Sequence, residues 1–105
     1  MAVINGVELA LTRLAWSTTA PAISPAVNVH RRFNITLSGN AADFSAFLQR
    51  SFDAGATWSL CTAWGAPVVW TQNITEVADE PELGVLYRVV VSAIASGTLF
   101  VRISQ

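Results

Sequence analysis

The run Ser51-Phe52-Asp53-Ala54-Gly55-Ala56-Thr57-Trp58 constrains this chain more than any other stretch, because every residue type in it does turn work or strand work. Asp53 can fold its carboxylate back onto N–H groups of a turn, Gly55 can take a positive φ, and Thr57 and Trp58 restart a β-favouring chain. Strand-like residues enter the run from Asp43 and leave it towards Trp64. A tight β-hairpin is expected, with Ser51, Asp53, Gly55, Thr57 and Trp58 as its structural residues and Trp58 as its anchor in the core.

The flanking pattern is β throughout. Phe33, Ile35 and Leu37 alternate with Asn34, Thr36 and Ser38, as in a strand with one face in a core. Phe44, Ala46, Leu48, Arg50 and Phe52 share one face of the strand entering the hairpin, and Trp58, Leu60, Thr62 and Trp64 share a face of the strand leaving it. Val68, Trp70 and Ile74 fall on one side of the next strand, and Val77 to Gly84 reads as a solvated acidic loop. Val85 to Ala95 is then the longest strand, Ser96-Gly97 a two-residue hairpin turn, and Leu99, Val101 and Ile103 alternate to the end. Six to seven strands with turns about every ten residues predict an all-β fold, a single antiparallel β-sandwich, Ig-like or related, over residues 30–105.

Residues 1–29 are harder to place. Asn5-Gly6 signals a turn, and Val7 to Trp16 fits a helical turn (Val7, Leu11, Leu14) or, as preferred here, an extended segment (Val7, Leu9, Leu11). Pro21 and Pro25 argue against regular structure from Ser17 to Pro25. Two readings stay open: an extended N-terminal arm that crosses to a neighbouring subunit, or a strand plus loop packed on its own domain. Met1 to Ala22 lacks a basic segment and carries Glu8 and Arg13, so it is not read as an export signal.

Apolar residues make up 52% of the chain and charged residues 12%, which leaves little polar coating for a monomer and points to assembly through apolar patches. Val7, Leu9, Leu11, Leu14, Trp16, Trp64 and Trp70 are the interface candidates. Trp64 and Trp70 flank a turn and also suit a stacking platform for sugar rings. All basic residues are arginines, spread along the chain, and the net charge is −1; nucleic acid is not expected as a partner. Ala54 to Thr75 carries no charge but is broken by Gly55, Gly65, Pro67, Gln72 and Asn73, so no membrane span is expected.

Chemistry is sparsely supplied. His30 stands beside Arg31 and Arg32 with no nucleophile to activate, and Cys61 is the lone cysteine. Asp43, Asp53 and Glu76 form no motif for a carboxylate pair. Asp79-Glu80-Pro81-Glu82 offers hard oxygens but lacks the ligand spacing of a calcium loop. No catalytic residue, metal or cofactor is assigned, and the chain is read as a non-enzyme.

Three resemblances extend this reading. Ser51, Asp53, Gly55, Thr57 and Trp58 match the Asp-box, Ser-x-Asp-x-Gly-x-Thr-Trp, which in sialidases and other propellers lies away from the active site and so implies a hairpin shape. Glu82 to Val89 resembles the tyrosine corner of Ig-like sandwiches, in which Tyr87 would bond back to the preceding loop. Taken together, Leu48 to Trp58, Glu80 to Arg88 and Ser96 to Gln105 resemble small β-sandwich proteins of tailed bacteriophages, in which Gly often stands where this chain has Ala54. That similarity spans His30 to Gln105. It implies a virion structural protein made in the host cytoplasm, a decoration or cement protein on the outer surface of the capsid. The implied partners are copies of itself, for example a trimer at a lattice three-fold, and a lattice of major capsid protein. The alternative is a carbohydrate-binding or host-adhesion module on a tail or head fibre, with surface glycans as ligand.

Overall fold

The alternation of apolar and polar residues is realised as strands with one face inward. The computed structural model describes residues 12–105, together with the paired backbone of residues 3–4 and 7–8. In chain order the strands are β1 (Val3–Ile4), β2 (Val7–Glu8), β3 (Leu14–Thr18), β4 (Ala22–Ile23) and β5 (Val27–Asn28). They continue with β6 (Arg31–Gly39), β7 (Ser45–Ser51), β8 (Ser59–Leu60), β9 (Thr62–Ala63) and β10 (Ala66–Pro67). The last four are β11 (Val69–Trp70), β12 (Ile74–Glu80), β13 (Leu86–Ala93) and β14 (Leu99–Ser104). None of the described residues is helical, so no helix is long and apolar enough to cross a membrane.

Two antiparallel sheets face each other as a β-sandwich. The first runs β12-β6-β14-β3, and the second runs β11-β7-β13-β4, with β8 also paired to β7 and β5 to β13. From the first sheet Leu14, Phe33, Ile35, Leu37, Leu99, Val101 and Ile103 point inward. From the second come Phe44, Ala46, Leu48, Trp70, Val89 and Val91, and all are buried in one cluster. Each Val, Leu, Ile or Phe among them contributes roughly 1.5–3 kcal/mol by leaving water. The ring of Phe33 lies across the gap from that of Tyr87, 4.9 Å between centroids and tilted by 54°, an arrangement that suits the aromatic quadrupoles.

Several expectations change. Residues 14–28, left open above between arm and strand plus loop, supply β3 to the first sheet and β4 and β5 to the second. Pro21 and Pro25 do not prevent this, because they fall beside β4 and not within it. Val68, Trp70 and Ile74 do not share a strand: β11 and β12 lie in different sheets. The stretch read as a solvated acidic loop is strand up to Glu80, paired with β6 over all seven residues of β12. β6, with nine residues, exceeds the eight of β13 as the longest strand.

Ser96-Gly97 is not a hairpin turn. It carries the chain from β13 in the second sheet to β14 in the first, and Ala42 bridges Ser96 beside it. In antibody-type sandwiches the last two strands lie side by side in one sheet; here they lie in different sheets, so the wiring is not the antibody one. At the crossing, the Thr98 N–H donates to Asn40 Oδ1 at 2.8 Å and the Asn40 N–H to the Thr98 carbonyl at 3.2 Å. Gly97 permits this approach: its φ is +80°, and an added Cβ would lie 2.3 Å from the Asn40 carbonyl oxygen. Gly97→Ala is expected to lower unfolding free energy by about 2–4 kcal/mol, from left-handed strain plus the clash. Urea denaturation would show this as a lower midpoint at unchanged slope.

Candidate interaction surface

The hairpin forms where the sequence places it. β7 and β8 pair with Arg50 opposite Ser59 and Gln49 opposite Leu60. Ser51, fully buried, turns its hydroxyl into the loop, donating to Asp53 Oδ1 at 2.8 Å and accepting the Gly55 N–H at 2.8 Å. Asp53 in turn accepts the Thr57 N–H at 2.9 Å and the Thr57 hydroxyl at 2.5 Å. These bonds, the Thr57 hydroxyl foremost, hold the Asp53 carboxyl down at a pKa of about 2. Trp58 donates its ring N–H to the Gly55 carbonyl at 3.1 Å.

Trp58 is an anchor but not in the core. Its half-buried ring lies on the outer face of the second sheet, with the Arg88 guanidinium 4.1 Å from its centroid. The outward parity of Arg88 on β13 decides this. Ala54 takes a φ of +59° in the same turn, the position at which the resemblance leads one to expect Gly.

A polar knot ties the sheets together at one end. Glu80, the last residue of β12, is fully buried. Its Oε1 accepts the Tyr87 hydroxyl at 2.6 Å and Arg50 Nε at 2.9 Å, with Arg50 Nη2 bonded as well; its Oε2 accepts the Glu82 N–H at 3.0 Å. Burial alone would push the Glu80 carboxyl up, but the bonds from Tyr87, Glu82 and Arg50 outweigh it and hold the carboxyl below its ordinary value. Burial and the bond to Glu80 push the Tyr87 phenol well up. Tyr87 does bond back to the preceding segment, but to a side-chain carboxylate and not to backbone as in a tyrosine corner. Of the oxygens weighed for calcium, those of Glu80 are therefore committed inward.

Beside the knot a cleft of about 410 Å³ opens between β12 and the β7–β8 edge, lined by residues that include Phe52, Cys61 and Trp70. Burial raises the Cys61 thiol to about 11, so it stays protonated at neutral pH and is a poor nucleophile. His30 is held through backbone: its N–H donates to Gln105 Oε1 at 3.4 Å and its carbonyl accepts from Gln105 Nε2.

The interface candidates separate. Leu14 and Trp70 belong to the core, at 1% and 6% exposure; their inward parity on β3 and β11 outweighs the apolar-surface argument that singled them out. Trp16 is partly buried against that core. Val7, Leu9 and Leu11 lie outside the residues whose side chains the structure describes. Among the described candidates Trp64 alone is fully exposed, at 105%. With Trp70 inside, the two-ring platform expected for a sugar-binding module is not formed. Trp64 and Gly65 make the two-residue loop between paired Ala63 and Ala66, with φ of 55° and 80°, the signs of a type I′ turn. A bulky residue there pays roughly 1–2 kcal/mol of left-handed strain, and strain of this kind clusters at functional positions.

One feature was missed by sequence reasoning. On the outer face of the second sheet, Val69 stands opposite Phe47, Phe47 opposite Val90, and Val90 opposite Ile23. The result is a continuous apolar row across four strands. Its ends are open, Val69 at 48% and Ile23 at 54% exposure, and Phe47 and Val90 are half-buried between them. The outer face of the first sheet is more polar: its rows include Thr75-Thr36-Arg102-Ala15, Val77-Asn34-Ser104 and Ser38-Phe100-Ser17, with Val77 and Phe100 as its large apolar side chains. The available signal was the loss of alternation in Ala46-Phe47-Leu48, Val68-Val69-Trp70 and Val89-Val90-Val91, since strands covered on both faces read as unbroken apolar runs. No family model, curated protein or solved structure matches the chain.

Ala54→Gly is expected to stabilise the fold by about 0.5–1 kcal/mol, relief of left-handed strain exceeding the added freedom of the unfolded chain; denaturant unfolding measures it. Asp53 has a folded pKa below its ordinary 3.8, so its contribution is complete above that value and is lost as pH falls towards 2. Thermal unfolding from pH 7 to pH 2 should therefore show a drop below about pH 4 that is shallower in Asp53→Asn.

Proposed function

We propose that the protein is a structural component of a tailed-phage virion, a decoration or cement protein on the outer surface of the head that strengthens the shell by packing. The row Val69-Phe47-Val90-Ile23 carries this reading. A sheet whose outer face is apolar across its full width gains by having a second protein surface laid on it, and a chain with 12% charged residues has few other ways to cover it. The similarity of Leu48 to Trp58, Glu80 to Arg88 and Ser96 to Gln105 to phage β-sandwich proteins supports the virion as the setting. Trp64, at the tip of a tight turn and fully exposed, suits an anchor in a pocket of the capsid lattice, since buried Trp dominates many interfaces.

A carbohydrate-binding or host-adhesion module is the second reading, and the exposed Trp64 ring is the observation left in its favour. The two are separated by one experiment. Purified protein mixed with heads of the encoding phage that lack it should co-sediment saturably. Trp64→Ala should weaken that binding at least about tenfold while shifting unfolding by no more than about 0.5 kcal/mol. Absence of binding to heads, together with glycan affinity that Trp64→Ala removes, would replace the decoration reading with the adhesion one.

A further inference from the structure

We propose that Arg88 is a pre-set receptor for one carboxylate, carried by the protein surface that covers the outer face of the second sheet. This rests on the packing reading above and names the chemistry of the partner. Among the described residues, only Arg50 and Arg88 of the six arginines have a side-chain hydrogen bond; Arg13, Arg31, Arg32 and Arg102 are exposed. Arg50 has the Glu80 carboxylate as its counter-charge. Arg88 has no ion pair among the described residues. Its Nε donates to Gln49 Oε1 at 2.7 Å, and its guanidinium carbon lies 4.1 Å from the centre of the Trp58 ring. An amide and an indole orient a guanidinium without neutralising it.

The surroundings supply no acid. Arg88 is half-buried in the row Leu60-Gln49-Arg88, between Phe47-Val90-Ile23 on one side and Ser51-Leu86-Asn28 on the other. Asp53, in the same hairpin as Trp58, spends its oxygens on Ser51 and Thr57. A surface laid over Val90 therefore meets this charge two residues away, about 7 Å along β13. An apolar surface would strip water from the guanidinium and return nothing, so the covering surface needs an acid at that point. With Nε bonded, both Nη groups have no partner among the described residues, and their spacing matches the two oxygens of a carboxylate. The rotamer freedom that an arginine loses on binding is already lost here, which favours binding. One guanidinium balances one carboxylate. A phosphate, at about −1.5 to −2, would stay partly uncompensated on a face with no second cation.

Heteronuclear NMR of the arginine side chains in the full wild-type chain, without heads, tests the receptor, with sodium acetate replacing sodium chloride at constant ionic strength. Arg88 should shift saturably and at least about fivefold more tightly than any other arginine, and inorganic phosphate should bind it no tighter than acetate. Equal responses of Arg88 and Arg102, or a preference for phosphate, overturn the proposal. Glucuronate held about tenfold tighter than acetate would assign the carboxylate to a glycan and overturn the protein partner. Heads lacking the protein then test the source. Arg88→Met keeps an apolar chain against Trp58 without the charge and should weaken head binding about thirtyfold; Arg88→Lys keeps the charge without the fork and should recover only part of that loss. Head binding that Arg88→Met leaves unchanged overturns the proposal and not the shell reading. Wild-type protein that ignores heads sinks the shell reading and the partner named here, while the acetate titration, which needs neither heads nor a variant, still decides whether the receptor exists.

Discussion

The buried carboxylate of Glu80 is the interaction on which the sandwich depends at its open end. A charge removed from water is destabilising unless nearly every lone pair is occupied. Glu80 meets that demand with donors from Tyr87, Arg50 and Glu82. The donors come from two strands of the opposite sheet and from the loop that joins the sheets, so satisfying one carboxylate aligns β12 against β7 and β13 together. A one-residue slip of β12 along β6 would turn Glu80 to the outer face and take its carboxylate away from Arg50 and Tyr87. The knot thus adds register to a core whose aliphatic side chains would tolerate several.

Once the sheets are aligned, their outer faces become different surfaces. The first sheet shows water mostly Ser, Thr and Asn, including a Thr36–Thr75 hydroxyl pair at 3.1 Å, with Val77 and Phe100 set singly among them. The second lines up valine, phenylalanine, valine and isoleucine across four strands. Part of the apolar excess of this chain is thus lined up on one face, while Val77, Phe100, Leu83 and Trp64 are exposed elsewhere.

Strain is distributed in the same spirit. The hairpin at Ser51 to Trp58 spends left-handed backbone on Ala54 but recovers it through the Asp53 and Ser51 bonds inside the loop. The turn at Trp64 has no comparable set of side-chain bonds among the described residues, so its unfavourable conformation displays a ring and stabilises nothing nearby. A type I′ turn would be easier with Asn at that position.

The chain's order alone determined those features whose partners are close in sequence. The hairpin at 51–58 was legible because every bond that closes it lies within eight residues. β6 and β14 were legible because one wet face enforces alternation, and an all-β antiparallel sandwich follows from several such strands with short turns. Tertiary structure alone decided the rest. Glu80 looks like a loop acid until Arg50 and Tyr87 arrive from the other sheet, and Trp70 looks like a surface ring until β11 pairs with β7. Ser96-Gly97 looks like a hairpin until β13 and β14 separate. Phe47, Val69, Val90 and Ile23 lie in four segments, and they become one surface only through the registers between strands, which distant side chains impose by packing and which local sequence pattern does not encode.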